Sequence, residues 1–277
     1  MKQQDNAIED AADKDGYIPD QLRTRLSSSY FGRVLEYKEC VTSTNDMVLN
    51  MARNGAPEGT VCLANEQTAG RGRRGFEWFS PPGCGIWASF LLRPQLAIDC
   101  TPPLTLCAAG AVARALEAFS SVDVAIKWPN DLLIRDRKVA GILAETHKIP
   151  NNGLVIIVGI GINVNQSAAM FPPEIADSAT SLKIESGMPI PRQNLFLAIA
   201  EAFRFAYHDY LDSGPKSMLA EIDTRLAWRR KLVTADSPAG TVGRVSQINQ
   251  DGALVLETEN HERVIIKSGS IRLSSEQ

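Results

Sequence analysis

VAIKWPNDLLIRDRKVAGILAE, residues 124–145, is the stretch on which the fold of this chain turns. Residues 124–127, 132–135 and 138–145 read as three strands in quick order, with Asp136-Arg137 as a tight hairpin connection between two of them. An apolar run at 154–162 adds a fourth. Upstream, 33–37, 60–64 and 86–92 are strand-like, and 42–55 is a helix. Thr42, Ser43 and Thr44 offer its N-cap, Gly55 its C-cap, and Met47, Val48, Met51 and Ala52 one apolar face. An alanine-rich helix at 104–119 and two more at 192–211 and 215–228 cover the sheet. Strand-heavy segments with helices on one side point to an α+β fold with a mixed β-sheet rather than a doubly wound one.

From Lys231 the rhythm changes. Short strands at 231–234, 240–248, 253–257 and 264–267 alternate with turns at Ser237-Pro238, Asp251-Gly252 and Ser268-Gly269. That is the pattern of a small C-terminal β-barrel. The expected organisation is a leader at 1–30, its first 16 residues mobile, a catalytic domain at 31–228 and a barrel at 229–277.

The 277 residues are 44% hydrophobic and 22% charged, the balance of an ordinary soluble globular protein with a sizeable core. A net charge of −3 counts against a domain devoted to the nucleic-acid backbone, and a local basic patch stays open. The longest apolar stretch is too short to span a bilayer, and the polar first ten residues carry no secretory signal. Cys40, Cys62, Cys84, Cys100 and Cys107 form no CxxC pair and read as buried or half-buried reduced thiols of a cytoplasmic protein. His147, His208 and His261 are too scattered for a zinc site or a histidine-based triad.

Four constellations could carry chemistry. Gly70-Arg71-Gly72-Arg73-Arg74-Gly75 combines close backbone approach with forked cationic donors, which suits a phosphate. It matches neither common nucleotide fingerprint, and an exposed or RNA-contacting basic loop would look the same. Lys127-Trp128-Pro129-Asn130-Asp131 is a rigid turn with an aromatic plate, an amide and a carboxylate able to hold magnesium. Lys138 begins the next strand, where its ammonium could lie beside a carboxylate and an α-phosphate. A proline-stabilised hairpin facing solvent is the plainer reading. Gly159-Ile160-Gly161-Ile162-Asn163-Val164-Asn165 puts two glycines in an apolar strand, by close approach or by a bulge. Ser43-Thr44-Asn45 could cap a helix, face a polar ring, or both.

In this order these motifs, with Gln67 ahead of the arginine loop, resemble the biotin–protein ligases from about Arg33 to the C-terminus. The resemblance implies the fold shared with class II aminoacyl-tRNA synthetases, with an SH3-like barrel appended. It also implies a two-step reaction with biotin and ATP as substrates and Mg2+ present. Biotin's carboxylate attacks the α-phosphate, giving biotinyl-5′-AMP and pyrophosphate, and a lysine of a biotin carboxyl carrier protein then takes the biotinyl group. Ser43, Thr44 and Asn45 match the contacts to biotin's ureido end, and Gln67 matches another biotin contact. Arg71, Gly72 and Arg73 match the loop that closes over biotin and the adenylate. Lys138 matches the lysine near carboxylate and phosphate, and Gly159 and Gly161 the pocket wall. Arg74, Trp128, Asn130, Asn163 and Arg272 are the expected nucleotide contacts, and Asp131 the magnesium ligand. Lys138, Arg73 and Asp131 would carry the catalysis.

The chemistry agrees with that assignment. Cations must offset the repulsion between a carboxylate and an anionic phosphate, and a closing loop keeps the mixed anhydride from water. Some family members carry an N-terminal winged helix-turn-helix and repress transcription. Only about 30 residues precede the first catalytic strand here, roughly half what such a domain needs. The expectation is therefore the ligase-only form, without DNA binding. A homodimer is possible, with strand 154–162 either extending a sheet across a two-fold or lying centrally. Lipoate and octanoate ligases share the fold, but their Ser-Gly-Gly and His-Asp signatures are missing. A nucleic-acid module conflicts with the acidic balance, and a tRNA synthetase relative lacks an evident anticodon-binding domain.

Overall fold

The computed structural model describes residues 16–94, 101–150, 153–236 and 240–274. The leader's residues 1–15, Cys100 and the Ser237-Pro238 turn lie outside the described residues. Strands β1 (Leu35–Val41), β2 (Val61–Gln67), β3 (Gly85–Leu92), β4 (Ala125–Lys127), β5 (Asp131–Ile134), β6 (Arg137–Ile149) and β7 (Gly153–Asn163) form one sheet. Its order is β1-β2-β3-β7-β6-β5-β4, and only β1 and β2 run parallel. The apolar run read at 154–162 is thus central, between β3 and β6, and is no sheet edge. Its apolar content on both faces reflects that position.

The β5–β6 hairpin turns on Arg135-Asp136, one residue earlier than expected, with φ of 49° and 62°. Two left-handed residues in a two-residue loop match the right-handed twist of the strands. Asp136 tolerates that backbone because its carboxylate accepts hydrogen bonds from Trp228 Nε1 at 2.8 Å and Lys231 Nζ at 3.0 Å.

The helices are α1 (Pro19–Leu26), α2 (Thr44–Arg53), α3 (Thr101–Ser120), α4 (Leu182–Ser186), α5 (Arg192–Ser213) and α6 (Lys216–Thr224). One face of the sheet, with Ile86, Ala88 and Phe90 of β3 and Ile156, Val158 and Ile160 of β7, packs into the core that includes α3, α5 and α6. The alternate residues Leu91, Val155 and Ile157 face the other way and meet Val48 and Ala52 of α2. The expectation of helices on one side is corrected by α2. Strand alternation gives the sheet two apolar faces there, and the Val48/Ala52 stripe covers the second. Gly55, at φ 84°, ends α2 as expected.

A second, antiparallel sheet holds β8 (Leu232–Ala235), β9 (Thr241–Ile248), β10 (Leu254–Glu257), β11 (Arg263–Ile266) and β12 (Ile271–Leu273) in the order β11-β10-β9-β8-β12. Strand β12 carries Arg272, in the barrel's last strand as the resemblance implied, though no range had been read for it. Val233, Val245, Leu254 and Ile266 join the same apolar cluster as the large sheet. The buried Trp128 indole N–H donates to Gly252 O at 2.9 Å, tying the 127–131 turn to this sheet. Of the described cysteines, Cys62, Cys84 and Cys107 are buried and form no disulfide, whereas Cys40 is exposed, against the expectation of burial. On edge strand β1 its side chain has no covering layer.

Candidate functional site

The α2 face of the sheet is covered only in part, and a cleft opens beside the helix N-terminus. Its floor follows from strand register. Gly141 pairs with Asp131 on one side and Gly161 on the other, and Gly161 pairs with Trp87, while Gly159 lies opposite Leu143 and Ser89. The register through both glycines is regular, so the bulge reading fails and close approach holds. The approaching groups are side chains. A Cβ on Gly161 would sit 2.5 Å from Trp78 Nε1, one on Gly141 3.0 Å from Trp78 Cζ3, and one on Gly159 2.3 Å from Asn45 Oδ1.

One end of the cleft is a largely buried network of neutral hydroxyls and amides, with the Glu145 carboxylate at its edge. Ser43 occupies the N-cap position of α2 without a side-chain cap bond. Gln67, from β2, caps instead, its Oε1 accepting from Thr44 N at 2.8 Å and Thr44 Oγ1 at 3.0 Å. Gln67 Nε2 donates to Ser80 Oγ at 3.0 Å. Asn45 Oδ1 accepts from Ser89 Oγ at 2.6 Å, and Asn45 Nδ2 donates to Glu145 Oε2 at 2.6 Å. Thr44, Asn45, Gln67 and Ser89 thus each have side-chain hydrogen-bond partners, which rigidifies the set.

The other end is cationic. Lys138 Nζ lies 2.6 Å from Asp131 Oδ1 and 5.0 Å from the Trp78 ring centre. Lys127 Nζ lies 3.7 Å from Asp131 Oδ2, and burial lowers the Lys127 ammonium from its ordinary value, with Asp131 opposing the shift. The arginine loop closes as a small hairpin, Gly72 N donating to Phe76 O at 2.7 Å, with Arg74 left-handed at φ 60°. Each of its arginines has a protein partner. Arg71 makes two 2.6 Å bonds to Asp46 of α2, and this pairing, against the opposing effect of burial, holds the Asp46 carboxyl below the usual carboxylate range. Arg73 Nη1 donates to Gly269 O at 2.8 Å and Asn130 Oδ1 at 3.3 Å. Arg74 pairs with Asp236. A second cavity, lined by Trp128, Pro129 and Lys267, shares Arg73, Arg74, Ile142 and Leu143 with the first.

The comparisons agree with this arrangement. Residues 37–163 match the model of the Biotin/lipoate A/B protein ligase family. The bifunctional ligase/repressor BirA of Bacillus spizizenii is 40% identical over 240 residues, covering 86% of this chain and 74% of the relative. The chain belongs to the biotin–protein ligase family. Within the family it is also similar to the biotin–[acetyl-CoA-carboxylase] ligase of Paracoccus denitrificans, at 32% identity over 80% of this chain and 94% of the relative. A structure of the Aquifex aeolicus biotin protein ligase in complex with biotin and ATP superposes with a TM-score of 0.78 at 29% identity, covering 87% of this chain and 99% of that one.

Of the residues that the family resemblance singled out, Ser43, Thr44, Asn45, Gln67, Arg71, Gly72, Arg73, Arg74, Asn130, Asp131, Lys138, Gly159 and Gly161 line the first cleft and Trp128 the second. Two do not. Asn163 is buried, donates to Thr180 O at 3.0 Å, accepts from Gln166 Nε2 at 3.2 Å, and lines neither cavity. Arg272 is exposed on the small sheet and lines neither cavity, because its strand alternation turns it outward; Lys267 and Ser270 stand nearer. Magnesium fits Asp131 poorly. That carboxylate is already matched by two lysines, and no group of three or more metal-ligating side chains occurs among the described residues. Hard cations need several oxygens, so no step here is routed through a protein-held metal.

Sequence reasoning missed Trp78, Ser89 and Glu145. Trp78 Nε1 is buried with no hydrogen-bond partner among the described residues, and its ring lies across Gly141 and Gly161. The available signal was the tryptophan three residues past a glycine-rich loop in a chain with a matching glycine pair. Ser89 and Glu145 had none, since both sit in ordinary strand positions.

Proposed function

We propose that this family member is an ATP-dependent biotin–protein ligase working through the cleft described above, and that its acceptor is a biotin carboxyl carrier protein. The observation that carries the proposal is the cleft's polarity: a neutral donor–acceptor network at one end, an indole and glycine wall between, and cations at the other. Biotin has that order of parts: a urea, an apolar bicycle and chain, and a carboxylate. In the first step a carboxylate oxygen attacks the α-phosphorus of ATP. The bond to the bridging oxygen of the β-phosphate breaks, and pyrophosphate leaves. Lys138, beside that carboxylate, offsets the charge of both reactants, with Asp131 holding its ammonium in place until substrate arrives. Arg73 faces the phosphate from the loop, and the second cavity beside Trp128 takes the adenosine. In the second step an acceptor lysine's amine attacks the acyl carbon, AMP departs, and the amine loses a proton. We read the five-stranded C-terminal sheet as the family's SH3-like barrel, and the chain as working in the cytoplasm.

Lipoate would leave the Thr44–Gln67–Asn45 network facing an apolar dithiolane, with its polar groups unrewarded. Pyrophosphate release from ATP in magnesium buffer, compared among biotin, lipoate, octanoate and no acid, tests the reading. Release is expected with biotin alone. Release with lipoate or octanoate instead would keep the fold and overturn the substrate.

A further inference from the structure

The turn before the last strand of the small sheet grips both central arginines of the loop. Gly269 O accepts from Arg73 Nη1 at 2.8 Å. Its neighbour Ser270 donates from N to Asp236 Oδ1 at 2.8 Å and from Oγ to Asp236 Oδ2 at 2.7 Å, and Asp236 N donates back to Ser270 O at 3.2 Å. The same carboxylate takes both terminal nitrogens of Arg74, one of them at 3.1 Å. Asp236 therefore accepts four hydrogen bonds, two from its own sheet and two from a loop 162 residues away in the chain. The two bonds from Ser270 orient the carboxylate, and the two to Arg74 tie the loop to it. Arg74 is left-handed at the tip of that hairpin, so anchoring its side chain constrains the whole turn that carries Arg73.

We propose that Asp236 is a positioning residue which latches the arginine loop, through Arg74, to the C-terminal sheet and so retains the acyl-adenylate in the cleft. The inference rests on the reading that the loop covers the adenylate. It gives the small sheet a part in the reaction: a strap for the loop that shields the anhydride. Asp236 touches no substrate. Its carboxyl, held well below the usual carboxylate range first by Arg74 and then by Ser270, stays charged at working pH, which a latch requires. Because Arg74 and Asp236 are half-exposed, the latch is screened by salt.

The experiment measures escape of labelled biotinyl-adenylate from the full-length enzyme, without acceptor, at low and high salt. The proteins are wild type, Asp236→Ala, Arg74→Ala, the double alanine variant, the charge swap R74D/D236R, and Arg73→Gly. Asp236→Ala should raise escape about fivefold at low salt, the change an exposed ion pair at the strong end of its range corresponds to. First-turnover pyrophosphate release should persist in that variant. Arg74→Ala and the double variant should leak no more than Asp236→Ala, the charge swap should recover part of the retention, and high salt should bring wild type up to the variants. Escape unchanged in Asp236→Ala while Arg73→Gly leaks would overturn the latch and leave the covering loop standing. No leak in Arg73→Gly would overturn both. Leakage in Asp236→Ala without leakage in Arg74→Ala would make Asp236 a mere support of its own sheet and also sink the proposal.

Discussion

The two ends of the cleft are built on opposite principles. The neutral end consists of buried and half-buried groups on a helix terminus and two strands, with Gln67 bonded to Thr44, and Thr44 and Asn45 both bonded to Ser89. The cationic end consists of side chains on a loop and at the start of a strand, Arg71, Arg73 and Lys138, each held by a carboxylate or a carbonyl until something better arrives. Buried neutral networks fix geometry and discriminate by leaving partners unmet when the wrong ligand enters. Partly exposed ion pairs are weak and screened, and so are easily exchanged. One end of the cleft is therefore formed in advance, while the other waits on the reactants.

Removing a charge from the waiting end should cost most. Lys138→Ala is expected to lower biotin-dependent pyrophosphate release about 10²–10³-fold, the scale for losing one electrostatic contact to a transition state. The thermal midpoint should barely move, and near-normal release would remove Lys138 from the mechanism. At the preformed end Gly161→Val drives methyls into the Trp78 indole, a strain of about 1–3 kcal/mol if the core cannot yield. The KM for biotin should rise and the melting temperature fall together; an unchanged KM would show that Trp78 moves aside freely and is no wall. Arg73→Gly removes two bonds from the loop and should raise adenylate escape about tenfold, seen as labelling of bystander lysines, one charged hydrogen bond being worth roughly that factor. Tight retention in this variant would refute closure.

Asp46→Asn should do least, a loss of under about 1 kcal/mol for a half-exposed pair. Its carboxyl is depressed in the folded state, so the contribution is present above the ordinary carboxylate range, near 4, and is lost as pH falls through the lower folded value. Wild type and Asp46→Asn should differ in thermal midpoint at pH 7 and converge under acid. A difference that persists in acid would place the effect elsewhere than in this ion pair.

How much was legible varies by mechanism. The strands of the large sheet were readable because each is a short apolar run with turn residues at its ends, and residues 124–145 gave three of them to within a residue, except that the third runs on to Ile149. The hairpin slipped by one place because the backbone twist, which favours two left-handed residues, chose Arg135-Asp136 over the more turn-like pair. Ser43 takes the N-cap position of α2 as expected, but the capping bond comes from Gln67 on another strand, where no local sequence rule looks. That Gln166 and Thr180 bond Asn163 outside both cavities had no sign in the sequence.

The order of motifs along the chain determined, unaided, the family, the chemistry and most of the cleft's residues, because glycine, proline and arginine patterns report local backbone needs and charge. Only the tertiary structure decided that α2 covers the second face of the sheet. It alone decided that two glycines yield to Trp78 and Asn45, and that an aspartate of the small sheet holds the arginine loop. Those facts depend on groups up to 162 residues apart meeting at a few ångströms, which no local pattern encodes.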